Sequence, residues 1–415
     1  MAKEKFKLLK LLGRPGGFAQ TYQAEVLDAS LKAQWGPVVA LKIPLSREKE
    51  KVLINELITN AVLQANLKQV QDSHIVRYLG FEIYDKQYVM VMEYVDGQSL
   101  REHIGDIGEG HPLPTPEALG IASQVCQGLV TIHRFNIFHR DIKPDNILLS
   151  AADGLVKITD LGIARLLEPS QLASTTTGTI YYMPKELLRG QGGALYSDIY
   201  SLGVTLYEML TGRVPFMGQN LCEIIENICH GRTAPPAQLN PELDGQLNEI
   251  VMKAMARDFQ ERYRSAAEFH RAIQMYRQGL DDAEQEMESQ EMVIRESLGG
   301  GRKDEAIKIA TSLLKDYPDR EKAYLLAGDS FCRCLQHQKA VEYLRLGLDK
   351  FPQSAPLHRM LAICLFNLAR TEQASYQEAL QELQQALDLA PDPEFASKVR
   401  MLLEVWQQND CARRT

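Results

Sequence analysis

The amino-acid sequence predicts an α+β domain followed by an all-α solenoid. Short β-rich runs cluster in about the first 95 residues, whereas helical patterns dominate from Gly97 onward. After residue 301 the sequence repeats with a spacing of 34 residues, the length of a helix-pair repeat. We therefore expect a first domain with a β-rich and a helical part, and a second domain made of stacked helices.

The elements of the first domain follow from these patterns. Residues 51 to about 68 have a helical pattern, and a loop-rich stretch interrupts the later helices between about residues 138 and 184. The predicted strands are residues 5–12, 21–27, 37–43 and 88–95.

The composition excludes several classes of function. The 415 residues are 45% hydrophobic and 24% charged, enough for two or three domains with cores of their own. The net charge of −8 argues against nucleic acid or an anionic membrane as the main partner. The N-terminus lacks a signal-peptide pattern, and no apolar run approaches the ~20 residues of a membrane helix. We expect a cytoplasmic protein.

The seven cysteines favour free thiols. Their number is odd, and the one close pair, Cys332 and Cys334, would face different sides of a helix. This usage favours buried thiols in a reducing compartment over disulfides or a metal site.

The segment FHRDIKPDNILL, residues 138–149, carries the groups that phosphoryl transfer needs. This reaction depends on positioning and charge neutralisation more than on covalent help from the protein. A carboxylate must receive the incoming hydroxyl, a cation must meet the moving phosphate, and an oxygen ligand must hold magnesium. Asp141, Lys143 and Asn146 supply these three groups on one loop. Each alone would be an ordinary polar residue, so the hypothesis depends on their combined order.

This segment resembles the catalytic loop of eukaryotic-like (Hanks-type) Ser/Thr protein kinases of bacteria, which have His-Arg-Asp, then Lys and Asn at these spacings. The resemblance covers residues 6 to about 276 and implies a two-lobed protein kinase fold, with lobes at about 1–95 and 96–276. It implies Asp141 and Lys143 as catalytic residues. It also implies Asn146 and Asp160, the latter in the motif DLG, as magnesium ligands.

The same resemblance implies an ATP site. Lys42, which ends VALK, would hold the α- and β-phosphates, and Met92 would be the gatekeeper beside the adenine. Backbone groups of Glu93 and Val95 would face the base. The implied nucleotide-binding residues are Gly13, Gly16, Gly17, Ala40, Lys42, Glu56, Met92, Glu93 and Val95.

Two supporting contacts are implied in the second lobe. Asp198, in the motif SDIYSLG, would brace the catalytic loop. Glu186 and Arg262 would form a buried ion pair.

The glycine-rich stretch LGRPGGFAQTY departs from the family pattern. Such a loop lays backbone N–H groups over phosphates and needs close approach, in places with positive φ. Pro15 inserts a residue, removes an N–H and stiffens the entry, and Ala19 replaces the third glycine. Gly16 and Gly17 still allow these backbone conformations at the tip, so the loop is altered but keeps its ability to approach phosphates.

Two further departures concern Lys42 and the activation segment. Glu56, fourteen residues after Lys42, is the best candidate for its ion-pair partner, although it lies closer in sequence than the family pattern has it. The family's Ala-Pro-Glu motif appears as Pro-Lys-Glu, ending at Glu186. Between DLG and this point, Thr179 takes the substrate-facing position. Thr175, Thr176 and Thr177 are candidate activation sites, because Arg140 needs an anionic partner nearby.

The C-terminal part carries a repeat. Closing prolines at Pro318, Pro352 and Pro391 are separated by 34 and 39 residues, and Ala306 and Ala340 occupy equivalent places. This pattern resembles the tetratricopeptide repeat; the alternative is a coincidence among amphipathic helices. The markers in the unit that begins at Glu321 are Tyr324, Gly328, Phe331, Ala340, Gly347 and Pro352.

A repeat stack of this kind presents a concave groove that binds a protein or peptide partner. Val399, Leu403 and Trp406 form one stripe of a final helix that we expect to cap the stack. The residues expected in the groove are Lys322, Leu325, Asp329, Cys332, Arg333, Arg359, Ile363, Phe366 and Asn367.

The sequence therefore predicts a protein kinase domain at 1–276 and repeats with a capping helix at 302–410. Residues 277–301 would be an acidic helical linker or an atypical first repeat helix. The predicted function is transfer of the γ-phosphate of MgATP to Ser or Thr of a protein substrate, with a second protein or peptide on the repeats and with neither nucleic acid nor membrane as partner. A catalytically dead scaffold and a small-molecule kinase are the alternatives.

Overall fold

The computed structural model describes residues 5–13, 19–46, 74–161, 177–190, 195–369 and 374–414. The chain divides into two compact units, Met1–Arg277 and Gln278–Thr415. The first contains strands and helices and the second contains helices, so the predicted fold class is confirmed. Within the described ranges, no helix combines the length and apolar character needed to span a bilayer.

The first unit begins with five strands: β1 (Phe6–Leu12), β2 (Ala19–Val26), β3 (Val38–Pro44), β4 (Tyr78–Tyr84) and β5 (Gln87–Glu93). They form one antiparallel sheet in the order β1-β2-β3-β5-β4. Val39 and Leu41 are completely buried in an apolar cluster on one face. Because side chains alternate along a strand, Ala40 and Lys42 lie on the opposite face, with Ala40 paired to Met92. The four strands expected from the sequence are present, and β4 is additional.

A short helix, α1 (Ala29–Trp35), lies between β2 and β3 and was not expected. Asp28 caps it by accepting hydrogen bonds from the backbone N–H groups of Ser30 and Leu31 at 2.9 and 3.0 Å. Its last residue, Trp35, stacks on Phe6 with 6.5 Å between ring centroids. With only about two turns, α1 has too short a pattern to be recognised from periodicity.

The helical part of the first unit also contains a small three-stranded sheet. Two of its strands lie in the stretch 138–184, where the sequence pattern suggested loops. The elements are β6 (Gly97–Ser99), α2 (Leu100–Ile104), α3 (Thr115–Arg134), β7 (Ile147–Ser150), β8 (Val156–Ile158), α4 (Thr177–Ile180), α5 (Lys185–Leu188), α6 (Leu195–Thr211), α7 (Leu221–His230), α8 (Pro236–Leu239) and α9 (Gly245–Ala254).

A 34-residue helix, α10 (Ala266–Gly299), contains the acidic segment. Six of the seven acids of residues 281–298 are exposed, as expected for a solvated helix face. On the other side, Met287 and Ile294 are buried in a cluster with Ala306, Ala310 and Leu313 of the following helix. The segment therefore packs as one helix of a pair.

The remaining helices pack as expected for a repeat. The aligned residues Ala306, Ala340 and Ala379 are all completely buried. At Gly328, a Cβ atom would lie 2.5 Å from a methyl of Leu344, so only glycine allows this close approach. The helices are α11 (Lys303–Asp316), α12 (Glu321–Arg333), α13 (His337–Lys350), α14 (Ala355–Leu368), α15 (Ala374–Asp388) and α16 (Pro393–Arg414).

The final helix, α16, buries the predicted stripe of Val399, Leu403 and Trp406. Trp406 stacks on Phe366 with 4.0 Å between ring centroids. One face of Phe366 is therefore used for packing against α16, which leaves less of this ring for a groove than the sequence suggested.

Candidate active site

The catalytic-loop segment is held by Asp198 at the start of α6. The completely buried Asp198 carboxylate accepts hydrogen bonds from the backbone N–H groups of His139 at 2.9 Å and Arg140 at 2.7 Å. The Nε2 of His133 donates a third, at 2.8 Å. Arg140 has a φ of +63°, a strained value for a residue with a side chain. The three hydrogen bonds to one carboxylate stabilise this turn, so Asp198 lies where it was predicted to brace the loop.

His139 connects the loop to the end of β8. Its Nε2 donates to the carbonyl oxygen of Thr159 at 2.9 Å, and its Nδ1 accepts from the N–H of Asp141 at 3.3 Å. This pairing requires the neutral ring with its proton on Nε2. Complete burial also lowers the pKa of His139, although the carboxylates of Asp198 and Asp141 oppose this effect. The neutral ring therefore ties Asp141 to the residue that precedes Asp160.

The polar groups predicted on the loop meet around Asp141. Lys143 Nζ lies 3.3 Å from Asp141 Oδ2. The amide nitrogen of Asn146 donates to Asp141 Oδ2 at 2.9 Å and to its carbonyl oxygen at 2.8 Å. Lys143 also donates to Thr179 Oγ1 at 2.7 Å, so the residue that was predicted to face the substrate lies beside the loop. Thr179 is only 1% exposed, so its hydroxyl is buried against Lys143.

A second group of predicted residues meets at the end of β3. Lys42 Nζ lies 3.0 Å from Asp160 Oδ1. Asp160 has a φ of +59°, and the following Leu161 is buried. The predicted Lys42 partner, Glu56, lies outside the described residues. The lysine predicted to hold the phosphates and one predicted metal ligand are thus adjacent.

An apolar cluster lies on the face of the sheet that carries Lys42. Ala40 and Met92, both predicted, are buried in one cluster with Val76 and Met90. Four further side chains pack against this cluster. Val95 was predicted as a backbone contact to the base, whereas Leu12 at the end of β1, Tyr78 on β4 and Leu148 on β7 were not predicted. Leu12 directly precedes the glycine-rich stretch, and Leu148 follows Asn146 by two residues, which are the signals that could have identified them.

Only part of the glycine-rich stretch falls within the described residues. Gly13 has a φ of +63°, a conformation that favours glycine. Gly16 and Gly17 lie outside the described part of the chain. The strand pairing places Leu12 opposite Thr21, so the stretch connects two neighbouring antiparallel strands.

Glu93, at the end of β5, has its own polar partners. Its backbone N–H donates to Arg77 O at 2.9 Å, and its carboxylate accepts from Lys157 at 2.7 Å and from the N–H of Arg77 at 3.0 Å. Burial opposes ionisation, but these hydrogen bonds hold the pKa of Glu93 below its ordinary value. The carboxylate is therefore a structural anchor for the strand that carries Met92.

A buried network not predicted from the sequence joins α2, α6 and the segment after Thr179. Arg101 donates to both carboxylate oxygens of Glu208, at 2.9 and 3.2 Å. Tyr182 donates to Glu208 at 2.6 Å and also contacts Arg101. Burial and the Glu208 carboxylate raise the pKa of Tyr182, so the hydroxyl stays protonated. The network holds Tyr182 three residues after Thr179.

The predicted pair Glu186–Arg262 is also present. The two side chains meet through two hydrogen bonds, at 2.6 and 3.2 Å. The Arg262 guanidinium is buried and also donates to the carbonyl oxygens of Ala256 and Tyr196 at 2.7 and 3.0 Å. The N–H groups of Arg262 therefore have several hydrogen-bond acceptors, as a buried charged group requires.

Of the three candidate activation threonines, only the backbone of Thr177 lies within the described residues, where it begins α4. Thr175, Thr176 and the side chain of Thr177 lie outside them.

Comparisons with known proteins agree with this geometry. The probable serine/threonine-protein kinase PknB of Lactococcus lactis is 34% identical over 270 residues, covering 64% of this chain and 41% of that protein. The serine/threonine-protein kinase PrkC of Bacillus subtilis is 34% identical over 274 residues, covering 65% and 40%. The chain thus spans about two fifths of the length of these relatives. A crystal structure of Rad53 1–466 in complex with AMP-PNP is 27% identical, covers 65% of both chains and gives a TM-score of 0.52.

Two family descriptions match the chain. The tetratricopeptide repeat matches residues 266–320, which include α10 and α11 and precede the unit with the strongest sequence markers. The protein kinase domain matches residues 6–278. The chain therefore belongs to the protein kinase family.

Proposed function

We propose that this chain is an ATP-dependent serine/threonine protein kinase that transfers the γ-phosphate of ATP to protein hydroxyls. The observation that carries the proposal is that Asp141, Lys143 and Asn146 meet in one group and Lys42 and Asp160 in another, with an apolar cluster on the face of the sheet that carries Lys42. The relatives named above are serine/threonine-protein kinases, which supports the same substrate class.

The proposed roles follow from the geometry. Asp141 accepts the hydrogen bond and then the proton of the incoming hydroxyl, and Lys143 neutralises charge on the moving phosphate. Lys42 holds the α- and β-phosphates. The adenine lies against the apolar cluster, beside Leu12 and Leu148.

The residues present fit a magnesium ion. Among the described residues, no cluster of three or more His, Cys, Asp or Glu side chains could hold a metal by itself. Magnesium in phosphoryl-transfer enzymes is held by one or two protein ligands together with substrate phosphates, so a full protein cage is not needed. Asp160 would supply a carboxylate, and Asn146 its amide oxygen, since the amide nitrogen already donates to Asp141. The ion would neutralise the charge of the phosphates and orient them.

Labelled ATP tests this function. We expect phosphate on the chain itself or on a generic protein substrate, with Ser or Thr as the labelled residue. Asp141→Asn should reduce the rate by about 10³-fold, because it removes the proton acceptor with little change in shape. The matched control is Asp153→Asn, in an exposed turn between β7 and β8.

The outcomes separate the alternatives. Label on protein that is lost in Asp141→Asn supports the kinase. Protein labelling by the wild type that does not exceed labelling by Asp141→Asn would favour the scaffold. ATP consumption with label on small molecules alone would favour the small-molecule kinase.

The proposal for the helical unit is binding of a protein or peptide on α12 and α14, the first helices of two successive pairs. Sequence motif, helix pairing and the tetratricopeptide match support this role. We also propose the domain boundaries at 276 and 302 and a cytoplasmic location for the chain.

A further inference from the structure

The short helix α1 holds the side chain of Trp35 against one face of the five-stranded sheet. Just before the helix begins, the N–H of Leu27 donates to the carbonyl oxygen of Lys5 at 2.8 Å. At its end, the N–H of Gly36 donates to the carbonyl oxygen of Lys32 at 3.0 Å. Between these two fixed ends, Trp35 packs against the apolar cluster of the sheet, so its ring has a defined place.

The ring of Trp35 reaches β4 at Gly80. A Cβ atom added to Gly80 would lie 3.0 Å from Cζ2 of the ring and 3.7 Å from its Cη2. Carbon atoms in favourable contact are about 3.5–4.0 Å apart, so a side chain at this position would displace the ring. The buried Nε1 of Trp35 makes no hydrogen bond to a described residue, which leaves packing to hold the ring on the glycine.

Gly80 belongs to a bulge in the pairing of β4 with β5. Tyr78 pairs with Met92 and Gly80 pairs with Val91, so Leu79 is an extra residue on β4. Leu79 packs against the same apolar cluster as Trp35. Because a bulge disrupts the hydrogen-bonded ladder locally, its geometry depends on the side chains that pack against it.

Tyr78, on the other side of the bulge, faces the opposite side of the sheet. Its side chain packs against the apolar cluster that contains Ala40 and Met92. Tyr78 and Met92 also line one small cavity together. The bulge therefore connects Trp35 on one face of the sheet with the proposed adenine surface on the other.

We propose that Trp35 is a positioning residue for the nucleotide. Its ring fixes the bulge at Gly80, the bulge fixes Tyr78, and Tyr78 shapes the apolar surface beside Met92 that receives the adenine. Since ATP at this surface belongs to the proposed function, the role of Trp35 rests on that function. Contacts to the adenine are the same before and during phosphate transfer, so a change at Trp35 should weaken ATP binding and spare kcat.

A size exchange between positions 35 and 80 tests the contact. Trp35→Phe leaves a gap above Gly80, whereas Gly80→Ala places a methyl group 3.0 Å from the intact ring. Each change alone should raise the Kd for ATP with magnesium chloride about five-fold, while kcat stays within about two-fold of wild type. In the double variant the methyl group fills the gap, so the Kd should return to within about two-fold of wild type. Calorimetric titration of the full chain measures Kd, in an Asp141→Asn background that prevents turnover.

Gly120→Ala on α3 is the control, because an added Cβ there meets no described atom within 4 Å. Trp35→Phe creates a gap and no clash, so it carries the test if circular dichroism shows that Gly80→Ala does not fold. An unchanged Kd in Trp35→Phe, or equal changes in Kd and kcat, would overturn the positioning role while an active wild type keeps the proposed function. The expected pattern of Kd in a chain that transfers no phosphate would support the positioning role and overturn the proposed function. A wild type that does not bind ATP would overturn both.

Discussion

The carboxylate of Asp198 accepts a hydrogen bond from the backbone N–H of Arg140 at 2.7 Å, at a residue held with a φ of +63°. The contact links the buried helix α6 to the loop that carries Asp141. Since the carboxylate is completely buried and also accepts from His133 and His139, the position of the catalytic loop depends on a core residue 58 positions along the chain from Arg140.

We expect Asp198→Asn to impair catalysis while the chain stays folded. The asparagine amide has one oxygen acceptor where the carboxylate has two, so its NH₂ group would face the N–H of His139, Arg140 or His133. The N–H group that it faces would lose its acceptor, which costs about 1–3 kcal/mol of stability. If about 1.4 kcal/mol of that cost is expressed in the transition state, kcat falls about ten-fold. Steady-state kinetics measure this. Asp258→Asn, which changes an exposed helix cap, is the control. Unchanged kcat in Asp198→Asn would contradict the bracing role.

Tyr182→Phe tests the buried network of Arg101, Glu208 and Tyr182. The substitution removes a 2.6 Å hydrogen bond to Glu208, which should destabilise the segment after Thr179 by about 1–3 kcal/mol. We therefore expect a raised KM for protein substrate with little change in the KM for ATP. Tyr181→Phe, in the neighbouring apolar cluster, is the matched control. Equal changes in both KM values would indicate general destabilisation instead.

The burial of His139 gives stability a definite pH dependence. Its pKa in the folded chain lies below the ordinary value of about 6.5, so below that pH the unfolded chain binds a proton that the folded chain rejects. Stability should therefore be full above pH about 7 and fall as the pH drops toward the folded-state pKa. The pKa of His270 is lowered as well, through burial and its neighbour His74, so this residue acts in the same direction.

Calorimetry of the first unit's transition in the full chain measures this effect. In His139→Phe the Tm is lower overall, but its decrease between pH about 7 and about 5.5 should be smaller than in wild type. The exposed His111→Phe should keep the wild-type slope. An unchanged slope in His139→Phe would contradict the assignment of a neutral histidine.

The catalytic loop could be recognised from the sequence because its groups are contiguous. Asp141, Lys143 and Asn146 lie close together on one short segment, so their joint spacing carries the signal. Arg101 could not be recognised in this way, since its partners Tyr182 and Glu208 are 81 and 107 residues away and each alone is an ordinary polar residue. Only the folded chain shows that the three meet.

The helices and strands also divide into those that the sequence pattern predicts and those that it does not. Strands with a strong apolar pattern, such as β3 and β5, were predicted. By contrast, α1 and the short strands β7 and β8 depend on packing against distant segments, which overrides weak local preference. The repeat was detectable because Ala306, Ala340 and Ala379 occupy equivalent, completely buried positions, and burial is what restricts them to a small residue.

Phosphorylation within residues 174–177 should activate the kinase. A phosphothreonine carries about −1.5 to −2 charges and could pair with Arg140, which directly precedes Asp141. Mass spectrometry after incubation with ATP should place phosphate in this segment.

The variant with Thr175, Thr176 and Thr177 all replaced by Ala should lose activity, because it removes the three candidate activation sites. Thr115→Ala, at the start of α3, is the control, since no side-chain hydrogen bond caps that helix. Undiminished activity of the triple variant would contradict this prediction.

Arg333 and Arg359 test the role of the helical unit. Arg333 lies exposed on α12 beside Asp329, and Arg359 on α14 stacks over Phe395 with 4.9 Å from its guanidinium carbon to the ring centroid. Replacing both by Glu reverses two charges on the first helices of neighbouring pairs and places a second carboxylate beside Asp329. We expect weaker capture of the native protein partner, measured by pull-down with the full chain, and slower phosphorylation of a native substrate.

Activity on a generic substrate distinguishes binding from stability in that experiment. If the groove binds the partner, the double variant should phosphorylate a generic protein at the wild-type rate, because the catalytic groups belong to the first unit. Arg345→Glu with Lys398→Glu is the matched control, since these exposed cations pair with Glu378 and Glu394 and the charge change is the same. Equal losses on both substrates would show that the arginines support the fold. A loss confined to the native substrate, absent from the control pair, would assign partner binding to α12 and α14.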